Sequence, residues 1–189
     1  MEPKTDSRAE EGHNFEPLWD WRAHDLATAQ MDRAAIMAVN LHRGTSLLLD
    51  RIVYLSENRQ RAIAVAPIRA GEWWQVGHAE GKGTYPPALM IECAAQVASV
   101  MFLLAPGVPA YKFTGFASLD DTILLGVPKV GEDLVIVARM HRFNIKGTIC
   151  DMQGYASDRL LFQARIKGLP FNPRGGPRLK ADGTSGPPA

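Results

Sequence analysis

From Ala88 to Leu104 the chain is apolar at almost every position, interrupted only by Glu92, Gln96 and Ser99. Pro86 and Pro87 stand at its entrance, where a missing N–H is least harmful to a helix. Pro106-Gly107 ends it. A helix that is apolar nearly all round has to be wrapped by other structure. The flanking segments supply mainly strand signals, so the expected wrapping is a curved antiparallel sheet.

Those strand signals surround the helix unevenly. Ser46 to Leu55 and Ala62 to Pro67 read as two strands before it, joined by the polar turn Ser56 to Gln60. A loop rich in tryptophan and glycine follows. After the helix come Lys112 to Ser118, Thr122 to Leu125, Asp133 to Phe143, Thr148 to Ala156 and Leu160 to Leu169. Asn144 to Gly147 and Ser157 to Arg159 read as hairpin turns. Asp25 to Val39 has mixed helical character. Phe15, Leu18, Trp19 and Trp21 crowd large apolar groups into a short stretch, which suits docking on the domain surface. The expected organisation is an N-terminal extension over residues 1–37, its first 14 or so disordered, a folded domain over 38–171, and a flexible tail over 172–189 rich in proline and glycine.

Composition excludes several classes of function. A chain of 189 residues can bury a real core without disulfides or metals. A net charge of +1 gives no electrostatic case for nucleic acid or a membrane surface as partner. Cys93 and Cys150 both lie in apolar runs and read as buried free thiols rather than a disulfide or a zinc site. The polar start, Met1 to Asp6, has no apolar core of a signal peptide, and the Ala88–Leu104 run is a poor membrane span. A cytoplasmic protein is expected.

The three polar residues of the helix fall at i, i+4 and i+7, along one side. A carboxylate there is costly unless it is paired, hydrogen-bonded or protonated. Gln96 is spaced to hold Glu92 in one orientation, and burial is expected to raise the Glu92 pKa towards a range useful for proton transfer. A buried salt bridge is the competing reading of Glu92. His78 follows Gly77 and precedes Glu92 by fourteen residues. A histidine base facing a carboxyl acid across an apolar cleft suits removal of water from a 3-hydroxyacyl thioester. The histidine takes the C2 proton and the carboxyl group protonates the leaving hydroxyl at C3.

With Gly77-His78 followed by Leu89-Met90-Ile91-Glu92-Cys93-Ala94-Ala95-Gln96, the sequence resembles the glutamate-type 3-hydroxyacyl-acyl-carrier-protein dehydratases of bacterial fatty acid synthesis. Leu41-His42-Arg43 leading into Leu47-Leu48-Leu49-Asp50-Arg51 resembles that family's upstream segment. Phe116 to Asp120 and Val127 to Leu134 resemble its third strand and following turn. The resemblance covers about Val39 to Leu169. It implies an α+β hotdog fold, a long central helix wrapped by six or seven antiparallel strands. It also implies a homodimer, often a trimer of dimers, with His78 and Glu92 meeting from different subunits. No cofactor or metal is implied, because the substrate is carried on the phosphopantetheine of an acyl carrier protein.

Under that resemblance His78 and Glu92 are the expected catalytic residues, and Gly77, Gln96 and Ala88 support them. Trp74, Tyr85 and Leu89 are expected to line the acyl tunnel, and Arg43 is a candidate carrier contact. His42 reads as structural, His141 as a surface residue and Glu80 as a solvated loop carboxylate. The chain departs from the family pattern at Ala79-Glu80 after the histidine, at Gly83, and at Pro87. At position 87 the family has a glycine whose N–H binds the thioester oxygen, and proline has no N–H. The Ala88 N–H or the hydroxyls of Thr84 or Tyr85 are the available substitutes. The expected reaction is dehydration to the trans-2-enoyl thioester, in a specialised fatty acid or polyketide pathway. A hotdog thioesterase and a silent acyl-binding subunit are the alternatives.

Overall fold

The computed structural model describes residues 15–78, 84–109 and 113–171. The expectations for the first 14 residues, the tail and the Glu80 loop lie outside them. The described elements are α1 (Arg33–Val39), β1 (Arg51–Leu55), β2 (Arg61–Pro67), α2 (Trp74–Gly77), α3 (Pro87–Leu103), β3 (Phe113–Leu124), β4 (Asp133–Asn144), β5 (Gly147–Ala156) and β6 (Arg159–Phe171). The strands form one antiparallel sheet in the order β1-β2-β4-β5-β6-β3. Six strands around one long helix make this the hotdog fold.

α3 is the axis of the core. Met90, Cys93, Val97, Val100 and Met101 are fully buried. They pack with Ala62, Ala64 and Ala66 of β2, Ile136 and Ala138 of β4, and Met152 of β5. Small alanines on β2 let the sheet come close to the helix. The alternate residues, Ile63 and Val65 of β2 and Val135 and Val137 of β4, point the other way and are also buried. Their cover is the N-terminal segment: Trp21 is buried among them and Tyr155, with Leu18, Trp19 and Leu26 packed alongside. Trp19 Nε1 donates to Ala138 O at 3.2 Å, and Leu18 N donates to Gln153 Oε1 at 2.9 Å. Two-sided burial explains why β4 opens with a continuous apolar run instead of an alternation.

Several boundaries differ from the sequence reading for identifiable reasons. The helix expected from Asp25 begins only at Arg33, capped by Asp32, whose side chain accepts from Ala35 N at 2.8 Å. Just before it, Met31 is held in a bridge to Ile52. The strand expected from Ser46 starts at Arg51, because the preceding carbonyls are taken by a side chain. The Arg33 guanidinium donates to Gly44 O, Leu47 O and Leu49 O at 2.8–2.9 Å. The two strands expected around Ser118 and Thr122 are one long β3, irregular in its pairing with β6 near Asp121, where φ is +46°. The tryptophan-rich loop contains the single helical turn α2.

Candidate active site

Glu92 sits on the second turn of α3 and is half-buried. Gln96, one turn later, is completely buried and acts as a bracket. Its Nε2 donates to Glu92 Oε1 at 2.8 Å and to Ser46 O at 2.8 Å, while its Oε1 accepts from Leu48 N at 3.1 Å. Asn40, also buried, donates from Nδ2 to Gln96 O at 3.2 Å. Together with Arg33, these bonds clamp the segment 40–48 against α3. The clamp delivers His42 to the carboxyl group: His42 Nε2 lies 3.1 Å from Glu92 Oε1. The i, i+4 pairing of Gln96 with Glu92 is therefore present. The contact of Glu92 with His42, fifty residues away, had no signal in local spacing.

The Glu92 ionisation corrects the sequence reading. Burial is the largest single influence and pushes the carboxyl group up. The approach of His42 and the hydrogen bond from Gln96 together outweigh it, so the group lies below the ordinary glutamate value. Burial alone was legible in the sequence; the His42 contact was not.

Two cavities meet at Glu92. One, of about 240 Å³, runs between α3 and the sheet past Ala95, Ala98 and Ser99 towards Thr148 and Gly168. The other, of about 370 Å³, lies against Leu48, Trp73 and Leu89. His42 and Glu92 are the titratable side chains lining both. The polar stripe therefore divides: Glu92 and Ser99 line the inner cavity, whereas Gln96 turns towards the 46–48 backbone.

His78 is the residue after α2, with extended backbone (φ −126°, ψ 130°), and forms no ion pair with Glu92 within the chain. Gly77 ends α2. Leu89 lines the outer cavity, as does Trp73, which is 52% exposed. Trp74 is in the core, its ring edge-on to Tyr85 at 5.1 Å and its Nε1 donating to Glu72 Oε2 at 2.7 Å. Tyr85 is buried, with its hydroxyl 3.8 Å from Cys93 Sγ. Burial pushes the Cys93 thiol up to about 12, so it carries its proton at neutral pH. Arg43 is exposed, and its Nη1 donates back to Asn40 O and His42 O at 2.6 and 2.7 Å.

Pro86 caps α3 and Pro87 is its first residue, so neither offers an amide. Leu89 N is used by Pro86 O at 2.9 Å. Ala88, exposed at the second helical position, is left as the first-turn amide without an intrahelical partner. Among the described residues no group of three or more His, Cys, Asp or Glu is placed to hold a metal ion. None of the described helices is long and apolar enough to cross a membrane.

Residues 41–118, the stretch that carries His42, His78 and Glu92, match the FabA-like domain family. Over 127 residues the chain is 31% identical to the 3-hydroxyacyl-acyl-carrier-protein dehydratase FabZ of Anoxybacillus flavithermus, covering 67% of this chain and 87% of that protein. The chain belongs to the FabZ dehydratase family. The FabZ of Herpetosiphon aurantiacus is 36% identical over 86 residues, a match spanning 46% of this chain and 60% of that protein. Among solved structures, the dehydratase heterocomplex ApeI:P of Xenorhabdus doucetiae shares the fold with a TM-score of 0.59 at 12% identity, over 73% of this chain and 91% of that one. A mutant thioesterase from Pseudomonas aeruginosa does so with a TM-score of 0.56 at 14% identity, over 78% of this chain and 99% of that one. Membership in the FabZ family agrees with the likeness read from the motifs around His78 and Glu92.

Proposed function

We propose that this FabZ-family protein dehydrates a 3-hydroxyacyl thioester, carried on an acyl carrier protein, to the trans-2-enoyl thioester. The observation that carries the reading is Glu92 itself. It is a carboxyl group fixed on a wrapped apolar helix, opening into a cavity between that helix and the sheet. Such a cavity suits an acyl chain, and a fixed carboxyl at its mouth suits proton exchange with the chain's reacting end.

In this reading His78 of one subunit takes the proton from C2, and Glu92 of a second copy, ionised at rest and protonated before the step, gives a proton to the hydroxyl leaving C3. The C2–C3 double bond forms as the C3–O bond breaks and water departs. The amide of Ala88 takes the place of the glycine N–H that Pro87 replaces. Leu89 contributes to the wall around the chain, and Arg43 faces the acidic carrier protein. Support for a homodimer comes from β3, a twelve-residue edge strand with Phe116, Leu119 and Leu124 exposed. A long apolar edge is a template for pairing with another chain. The altered positions Ala79, Glu80 and Pro87 support a specialised fatty acid or polyketide pathway over a housekeeping one.

Mass spectrometry of a 3-hydroxyacyl chain on its carrier protein tests the reading. Loss of one water with wild type but not with His78→Ala supports it. Release of free acid from the wild-type reaction would replace it with a thioesterase. Water loss only after Pro87→Gly would mean that the natural chain is a silent acyl-binding subunit. Dehydration of ordinary saturated chains at housekeeping rates would overturn the specialised pathway.

A further inference from the structure

Two side chains converge on one oxygen of the Glu92 carboxyl group, Gln96 by a hydrogen bond and His42 at ion-pair distance. Gln96 Nε2 reaches Oε1 from within α3 at 2.8 Å, and His42 Nε2 reaches it from the clamped 40–48 segment at 3.1 Å. The His42 Nδ1 is enclosed and has no hydrogen-bond partner among the described residues, so Nε2 is the ring atom whose contact the described fold defines. The histidine is held in place through backbone contacts of its neighbours: Asn40 to Gln96 O, Arg33 to Gly44 O, and Gln96 to Ser46 O. It also lines both cavities beside Glu92.

We propose that His42 is a positioning residue for Glu92, supplied by the same subunit, and that it leaves Oε2 as the oxygen that exchanges a proton with the substrate. The inference rests on the dehydratase reading and adds to it a third residue that the paired His78 and Glu92 motif does not contain. With one donor, a carboxyl group on a half-buried helix can rotate about its terminal torsion. With the Gln96 donor and the His42 ring meeting at Oε1 from different elements, that rotation is restrained, and Oε2 keeps a preferred direction. Fixing a reacting atom in this way is worth large rate factors, because small misplacements at a reacting centre are costly. In the dehydration step Oε2, which must first take up a proton because the resting group is ionised, gives that proton to the departing hydroxyl, while Oε1 keeps its contacts with Gln96 and His42.

Among the described ionisable groups around the pair, His42 is the one at ion-pair distance from Glu92. Tyr85 and Cys93 are pushed up, by burial first, and stay neutral. Glu72 is bonded to Trp74 Nε1, and the Arg43 guanidinium is turned to the Asn40 and His42 carbonyls. In the proposed dimer, His78 of the partner subunit faces Glu92.

The experiment uses the full chain in four forms: wild type, His42→Ala, His42→Gln and Glu92→Gln. Carbon-13 NMR of labelled glutamate carboxyls, with Glu92→Gln to assign the signal, follows the Glu92 titration. Steady-state dehydration of a 3-hydroxyacyl-carrier protein gives kcat and KM against pH. The expected result is a Glu92 midpoint that moves up in His42→Ala and partly returns in His42→Gln, which keeps a side-chain donor. In parallel kcat falls by about 100-fold in His42→Ala with KM nearly unchanged, and His42→Gln recovers most of it. A Glu92 midpoint indifferent to His42 would overturn the pairing. A shifted midpoint with unchanged kcat, or a loss that His42→Gln does not repair at equal thermal stability, would overturn the positioning role. The carboxyl titration needs no turnover. A wild-type protein that forms no enoyl product would sink the dehydratase reading and the catalytic role of His42 with it, while the titration still decides whether the pair exists.

Discussion

Gln96 Nε2 stands 2.8 Å from Glu92 Oε1 and equally 2.8 Å from Ser46 O, so one buried amide ties the carboxyl group to the segment that carries His42. The site and the fold are coupled at this side chain. Gln96→Leu keeps the volume but removes the bracket, stranding Leu48 N without its acceptor. A loss of about 2–3 kcal/mol in stability is expected, read by urea denaturation. Dehydration should fall by a larger factor than partial unfolding at assay temperature explains.

Acid sensitivity should originate on the far side of the sheet. Asp151, largely buried on β5, is pushed up by burial but pulled down further by Arg165 and Arg139, whose nitrogens lie 2.7 and 3.2 Å from its oxygens. The net value is below that of an ordinary aspartate. A carboxyl group depressed in the folded state stabilises fully above its unfolded pKa, near ~3.9. That contribution is lost as pH falls through the lower, folded value. Thermal melts of wild type and Asp151→Asn between pH 7 and pH 2 should therefore differ most at neutral pH and converge at the acid end. A constant gap across the range would assign the acid sensitivity elsewhere.

Gly154 on β5 leaves no room for a side chain. A Cβ there would lie 2.0 Å from Cε1 of Phe162, which is fully buried on β6. Gly154→Ala should cost about 1–3 kcal/mol through overpacking, and the double variant with Phe162→Leu should recover part of it. An unchanged midpoint in guanidinium for Gly154→Ala would show that Phe162 is free to move.

If β3 is the subunit edge, Leu119→Lys should shift the protein towards monomer in light scattering and abolish dehydration, because His78 and Glu92 would then lie on separate molecules. A sharper form mixes two inactive chains. His78→Ala and Glu92→Gln, co-expressed, should restore activity in the mixed dimer, since one of its two sites holds both native groups. Inactive mixtures that nonetheless form mixed dimers would place both groups in one chain.

The sequence made the fold legible through a contrast of patterns. An apolar run with an i, i+4, i+7 polar stripe sat among strand-like segments, and few architectures accommodate both. Gln96 and Glu92 were readable because helix spacing alone puts them together. His42 was not. It reaches Glu92 through the Arg33 and Asn40 contacts, which join residues far apart in the chain and leave no periodic trace. The direction of the Glu92 shift differs from the sequence expectation for the same reason, since burial follows from the helix whereas the His42 contact follows from the loop. Trp73 and Trp74 differ by one position, and only the helical turn α2 decides that Trp74 enters the core while Trp73 faces the cavity.

The most direct test of the central claim is isotopic. The trans-2-enoyl thioester on its carrier protein is incubated with the wild-type chain in oxygen-18 water, and the acyl products are read by mass spectrometry. A dehydratase running in reverse adds the label as a 3-hydroxyl group while the chain stays on its carrier, and His78→Ala abolishes the addition. Label found instead in a released carboxylic acid, or a thioester left unlabelled by the wild-type protein, would contradict the account.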